Sequence, residues 1–150
     1  HSATVTNLLT VLAISGIFSG LLFGFLVKRA KNLTLTIMLS FMTLGSMIFS
    51  FSNNIVLFIL GAILIGISFV GAMSFNFFYI SNKLENKFIN FSTSIMLVGG
   101  NIGVILTPII LTKLPEALHL EKFITPFYIT TLAMLICTII SYFSLKDNNN

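Results

Sequence analysis

The sequence predicts an all-α fold, a polytopic transmembrane helix bundle with five transmembrane helices. Three observations predict it. Hydrophobic residues make up 56% of the 150 and charged residues only 8%, against roughly 25% charged in ordinary soluble chains. Mean hydropathy is +1.04. The eight basic and four acidic residues are also clustered, which leaves 2–27, 32–82, 88–112 and 123–145 free of formal charge. So few charges cannot coat a water-soluble surface, and the net charge of +4 is too sparse for a nucleic-acid footprint.

A helix rising ~1.5 Å per residue needs about 20 apolar residues to cross the hydrocarbon core. Three of the charge-free gaps fit one crossing each, and 32–82 fits two if the chain turns near its middle. Ser52-Asn53-Asn54, polar and turn-favouring, supplies that turn. The expected helices are 4–27, 33–51, 55–80, 88–112 and 124–145, in a single bundle over 1–150. Open strands are excluded because unpaired backbone groups are not tolerated in lipid. A β-barrel is excluded because Ile59-Leu60-Gly61-Ala62-Ile63 does not alternate in polarity.

The first helix carries Gly16, Gly20 and Gly24 at four-residue spacing, which flattens one side of it. The second and fifth are rich in bulk (Ile37, Met38, Phe41, Met134, Ile136) and are expected to face lipid. Gly61, Ala62, Gly66, Gly71 and Ala72 mark the third, and Gly99, Gly100 and Gly103 the fourth. Close approach over small residues drives helix association in lipid, so helices one, three and four are expected to be the inner members. The aromatic run Phe75, Phe77, Phe78, Tyr79 before Lys83 fits an interfacial belt. Pro108 removes a backbone bond inside the fourth helix, as a static kink or a point of flexing. Pro126 falls in the first turn of the fifth, where proline is tolerated.

The charges sort by side. Lys28, Arg29, Lys31, Lys83, Lys87 and Lys146 share one face, whereas the other has Lys113 and Lys122, offset by Glu116 and Glu121. The positive-inside rule makes the first face cytoplasmic. The chain is expected in the cell membrane with His1 external and Asn150 cytoplasmic. The opening His1-Ser2-Ala3-Thr4 has no initiator Met and no charged leader, and reads as a piece of something longer.

The first and fourth helices echo each other, Ser15-Gly16-Ile17-Phe18-Ser19-Gly20 against Gly99-Gly100-Asn101-Ile102-Gly103. Inverted three-helix repeats of this kind mark secondary transporters. Gly24-Phe25-Leu26-Val27-Lys28-Arg29-Ala30-Lys31-Asn32 resembles the glycine–three residues–acidic–basic loop motif of the major facilitator superfamily. The glycine-rich third helix, the loop Asn82–Lys87, and Gly100-Asn101-Ile102-Gly103 leading to Pro108 look like that family's tenth and eleventh helices. The resemblance covers nearly all of 4–145 and implies helices eight to twelve of the C-terminal half, which start outside and finish in the cytoplasm. Lys28 stands where the family usually has an acidic residue, and Lys31 where it often has glycine. No acidic charge-relay role is therefore implied for this loop. A register of helices two to six would want a Gly-Pro pair where the chain has Thr107-Pro108. The resemblance implies alternating-access transport of a small solute, with seven or more further helices as partners alongside the lipid bilayer and the solute.

Residue chemistry supports no enzyme. There is no His-Glu-x-x-His run, no intramembrane carboxylate pair, and no Cys, His or carboxylate cluster at metal-ligand spacing. No cofactor or metal is expected. His119 reads as a solvated loop residue, and Cys137 is alone. The candidate pathway residues are the mid-depth polar ones, Asn101, Ser68 and Ser15, with Asn76 nearer the inner end. Serines commonly bond their own helix. Asn101 carries two amide donors and an acceptor that one helix cannot satisfy, which suits either substrate contact or packing. The loop-motif residues are Gly24, Lys28, Arg29 and Lys31; the packing or gating residues are Gly16, Gly20, Gly99, Gly103 and Pro108. A reading from a different class is a complete five-helix noncatalytic subunit or scaffold.

Overall fold

The computed structural model describes residues 2–52, 54–117, 119 and 124–146. His1, Asn53 of the expected turn, Glu121 and Lys122 of the expected external loop, and the tail beyond 146 lie outside the described residues. The chain is all-helical: α1 (Ser2–Ala30), a 3-10 turn (Lys31–Leu33), α2 (Thr34–Phe51), α3 (Ile55–Lys83) and α4 (Asn86–Pro108). A π-helical turn (Ile109–Lys113) and the short α5 (Leu114–Ala117) continue α4, and α6 (Thr125–Lys146) ends the described chain. Five of these stretches are long and apolar enough to cross a membrane: Thr6–Ala30, Thr34–Phe51, Ile55–Lys83, Asn86–Ala117 and Thr125–Leu145.

Local chemistry sets the helix ends. Asn54 caps α3, its side-chain oxygen accepting from the Val56 N–H at 3.0 Å, and the Ser52 hydroxyl donates to the Asn54 carbonyl at 3.1 Å. The first of these bonds satisfies an N–H that a helix start leaves unpaired, and the second adds to the Asn54 carbonyl, which already accepts from the Phe58 N–H at 3.1 Å. Lys28 and Arg29 sit in the last turn of α1 and Lys83 in the last turn of α3, where cations complement the helix dipole. Between α1 and α2, Lys31 takes a left-handed φ of 47°.

The helices pack in the spatial order α1, α3, α2, α6. Helices α1 and α3 run parallel. Ser15 meets Gly66, the Ser19 hydroxyl donates to the Ile67 carbonyl at 2.6 Å, and the Phe23 and Phe78 rings meet edge-on at 6.2 Å. A Cβ at Gly66 would strike the Leu12 carbonyl, and one at Gly16 would lie 2.8 Å from Val70 Cγ2. Antiparallel to both runs α2. A Cβ at Gly45 would lie 3.0 Å from the Gly61 carbonyl oxygen, and one at Gly61 3.2 Å from that of Gly45. Close backbone approach of this kind maximises dispersion where lipid supplies no hydrophobic drive.

A different seam joins α2 to α6. Thr36 meets Ser141 at 3.0 Å, Thr43 meets Thr138 at 3.2 Å and Ser50 meets Thr131 at 3.5 Å. The three α2 hydroxyls recur every seventh residue, so they fall on one stripe. Phe49 closes the end of this seam, its ring 5.5 Å from Phe127 and 5.3 Å from Phe58.

Two expectations are corrected here. The second helix does not stand at the lipid side of this chain. It lies between α3 and α6, with Met38 fully buried in the space left by Gly71. Within this chain the fourth is not packed as an inner member, for α4 touches α3 only lightly and has no buried residue among those described. Hydropathy cannot separate a lipid-facing side chain from a protein-facing one, because both environments are apolar. The aromatic belt is also mixed: Phe77 and Phe78 are exposed, but Phe75 is buried.

Candidate functional site

An open cleft of about 510 Å³ lies among α2, α3 and α4. Helical periodicity builds its walls. On α3 the lining residues are Phe69, Ala72, Met73 and Asn76, a stripe at i, i+3, i+4 and i+7 that shares one face. On α4 they are Met96, Leu97, Gly100, Asn101 and Val104, and Met42 of α2 completes the lining. Three of the six methionines in the chain are therefore here. Gly100 leaves its side of the wall open, with nothing within 4 Å of where its Cβ would stand.

Asn76 and Asn101 supply the only side-chain amides of the lining, and neither side chain makes a hydrogen bond among the described residues. Because α3 and α4 are antiparallel neighbours joined by a short turn, the two lie at different depths. At ~1.5 Å per residue the separation along the axis is on the order of 10 Å. No lining residue is ionisable. The described residues contain no group of three or more His, Cys, Asp or Glu that could hold a metal ion.

The structure thus brings together two of the four expected pathway residues, Asn101 and Asn76. The other two lie in helix seams. Ser15 is buried and donates to its own Leu12 carbonyl at 2.8 Å. Ser68 is fully buried and donates to the Met38 carbonyl of α2. Of the packing glycines, Gly16 and Gly20 face Val70 of α3, while Gly99 and Gly103 have nothing within 4 Å among the described residues. The echo between first and fourth helices is therefore one of sequence; only the α1 copy is packed. In the loop segment Gly24 is open, and Lys28 and Arg29, at the C-terminal end of α1, and Lys31, in the turn that follows, are exposed.

Pro108 cannot donate to the Val104 carbonyl, and the chain passes there from α-helix into the π turn Ile109–Lys113. Thr107 also turns back, its hydroxyl donating to the Gly103 carbonyl at 2.7 Å. The methionines and Phe69 of the cleft are the residues that the sequence reading missed. Their signal was the i, i+3, i+4, i+7 stripe ending at Asn76, hidden in a helix that is apolar on every side.

A bundle of five membrane-length helices with an apolar cleft between them defines a multi-pass membrane protein. The family model for the Major Facilitator Superfamily matches residues 1–149, and the chain belongs to that family of membrane transporters. Comparisons with curated proteins and with solved structures give no match.

Proposed function

We propose that this chain is the C-terminal part, helices eight to twelve, of a twelve-helix secondary transporter that moves a small solute by alternating access. The cleft among α2, α3 and α4 would form part of one wall of the solute pathway, with His1 external and Asn150 cytoplasmic. One observation carries the reading: Asn76 and Asn101 line the same apolar cleft with their amides uncommitted. Its volume falls within the ~300–1,000 Å³ of small-molecule sites, which pair apolar walls with a few polar groups. The glycine faces of α4 and the unfilled side of Gly24 suit the remaining helices. Gly99, Gly103 and Pro108 suit a helix that moves as the cavity opens.

The test uses the full-length transporter and a solute found by thermal-shift screening. Asn101→Leu removes the amide at similar size. Solute affinity should fall by ~1 kcal/mol or more while the melting temperature of the empty protein barely moves. Unchanged affinity, with or without loss of stability, removes Asn101 from the pathway.

A further inference from the structure

The two cleft amides stand at different depths, and depth in a membrane helix decides from which side a residue is reached. We infer that Asn101 marks the level that both openings of the pathway reach, and that Asn76 lines the limb leading only to the Asn82–Lys87 end. This rests on the cleft being the solute pathway.

Helix geometry supplies the levels. The membrane-length stretch Asn86–Ala117 has Asn101 at its centre, fifteen residues from one end and sixteen from the other. Phe69, which lines the same cleft, is the central residue of Ile55–Lys83. Asn76 lies seven residues beyond it towards Lys83, which at 1.5 Å per residue is ~10 Å off centre. Between the two amides, Met73 stands ten residues before the end of α3 and Met96 ten residues after the start of α4, so two thioethers share one level. Both side chains are unbranched and adaptable, and a solute moving between the levels slides against them.

A site reached in turn from each side lies near the midplane, which suits Asn101 and not Asn76. An amide both donates and accepts, so Asn76 offers a solute's polar group a partner once it has left Asn101. Asn101 therefore acts on passage through either opening, and Asn76 on entry or exit at one of them.

Thiol access reads the levels without a known substrate. Asn101→Cys and Asn76→Cys are made singly in the full-length protein, otherwise free of cysteine. Asn86→Cys, at the start of α4, and Asn53→Cys, between α2 and α3, define the two sides. Trimethylammonioethyl methanethiosulfonate, small and impermeant, is applied to intact cells and to inside-out vesicles. Asn101→Cys should react from both sides. Asn76→Cys should react from the Asn86→Cys side at least about tenfold faster than from the other, the equivalent of ~1.4 kcal/mol in barrier. A variant that melts well below the parent is replaced by its neighbour in the lining, Gly100→Cys for the first and Met73→Cys for the second. Reaction of the first thiol from one side alone overturns the shared level. A second thiol that reacts equally from both sides, faster from the Asn53→Cys side, or not at all overturns the limb assignment and leaves the cleft as a pathway. Two thiols that react from neither side overturn the pathway reading itself.

Discussion

Ser19 of α1 donates its hydroxyl proton to the carbonyl of Ile67 on α3, 2.6 Å away and buried from lipid. The contact exists because Gly66 and Gly71 carry no side chain between the two backbones. Removing the hydroxyl and filling the space are therefore different injuries. Ser19→Ala should lower stability by about 0.6 kcal/mol, with ~2 as the ceiling for such bonds in membranes. Gly66→Ala drives a methyl into the Leu12 carbonyl and should cost about 1–3 kcal/mol. Thermal melting of both variants in the full-length protein checks the order. Equal losses would mean that the α1–α3 seam is not set by backbone approach.

The left-handed Lys31 offers a gain. An L-residue held there costs roughly 1–2 kcal/mol, and glycine returns part of it as chain entropy. Lys31→Gly should thus raise stability by about 0.5–1 kcal/mol. A melting temperature that falls would show that the lysine side chain contributes more than its backbone strain removes.

Pro108→Ala restores the missing N–H and should convert the π turn Ile109–Lys113 toward α-helix, raising the melting temperature. If bending at this point serves cavity opening, the initial transport rate should fall at the same time. A rate unchanged alongside higher stability would leave Pro108 as a static kink.

Orientation is testable by itself. With Cys137→Ser as background, a cysteine replacing Asn53 should react with an impermeant thiol reagent in intact cells, and one replacing Asn86 should not. The reverse pattern inverts the proposed topology and undoes the assignment to helices eight to twelve.

The five spans were legible because charge is so costly in hydrocarbon that the charge-free gaps on either side of Lys31, Lys83 and their neighbours set them apart. Helix α3 was legible as an inner member because Gly61, Gly66 and Gly71 have little use except close packing. The role of α2 was not. Met38 and Phe41 look alike in hydropathy, and only the hollow at Gly71 makes the first a buried plug. Thr36, Thr43 and Ser50 did stand in plain heptad spacing, yet nothing in α2 itself says that Thr131, Thr138 and Ser141 will meet them. Asn101 stood out as an amide that one helix cannot satisfy, whereas the methionines around it carried no such mark.

Two of the three hydroxyl pairs between α2 and α6 are short of protons. Thr43 can donate to the Leu39 carbonyl at 2.9 Å and Thr138 to that of Met134 at 2.8 Å, while their oxygens lie 3.2 Å apart. Two protons face three acceptor positions, so bridging the helices releases one backbone bond and dropping the bridge restores it. Ser50 and Thr131 repeat the arrangement, with the Ser46 and Phe127 carbonyls as their alternatives. At these two pairs the hydroxyls can trade the bridge for a carbonyl of their own helix, whereas Thr36 and Ser141 have only each other. The glycine seams on either side of α3 have no such exchange, since displacement there opens a void or forces a clash. The seam of α2 with α6 is thus held by hydroxyls of which two pairs can trade partners, whereas the seams of α3 are held by backbone approach.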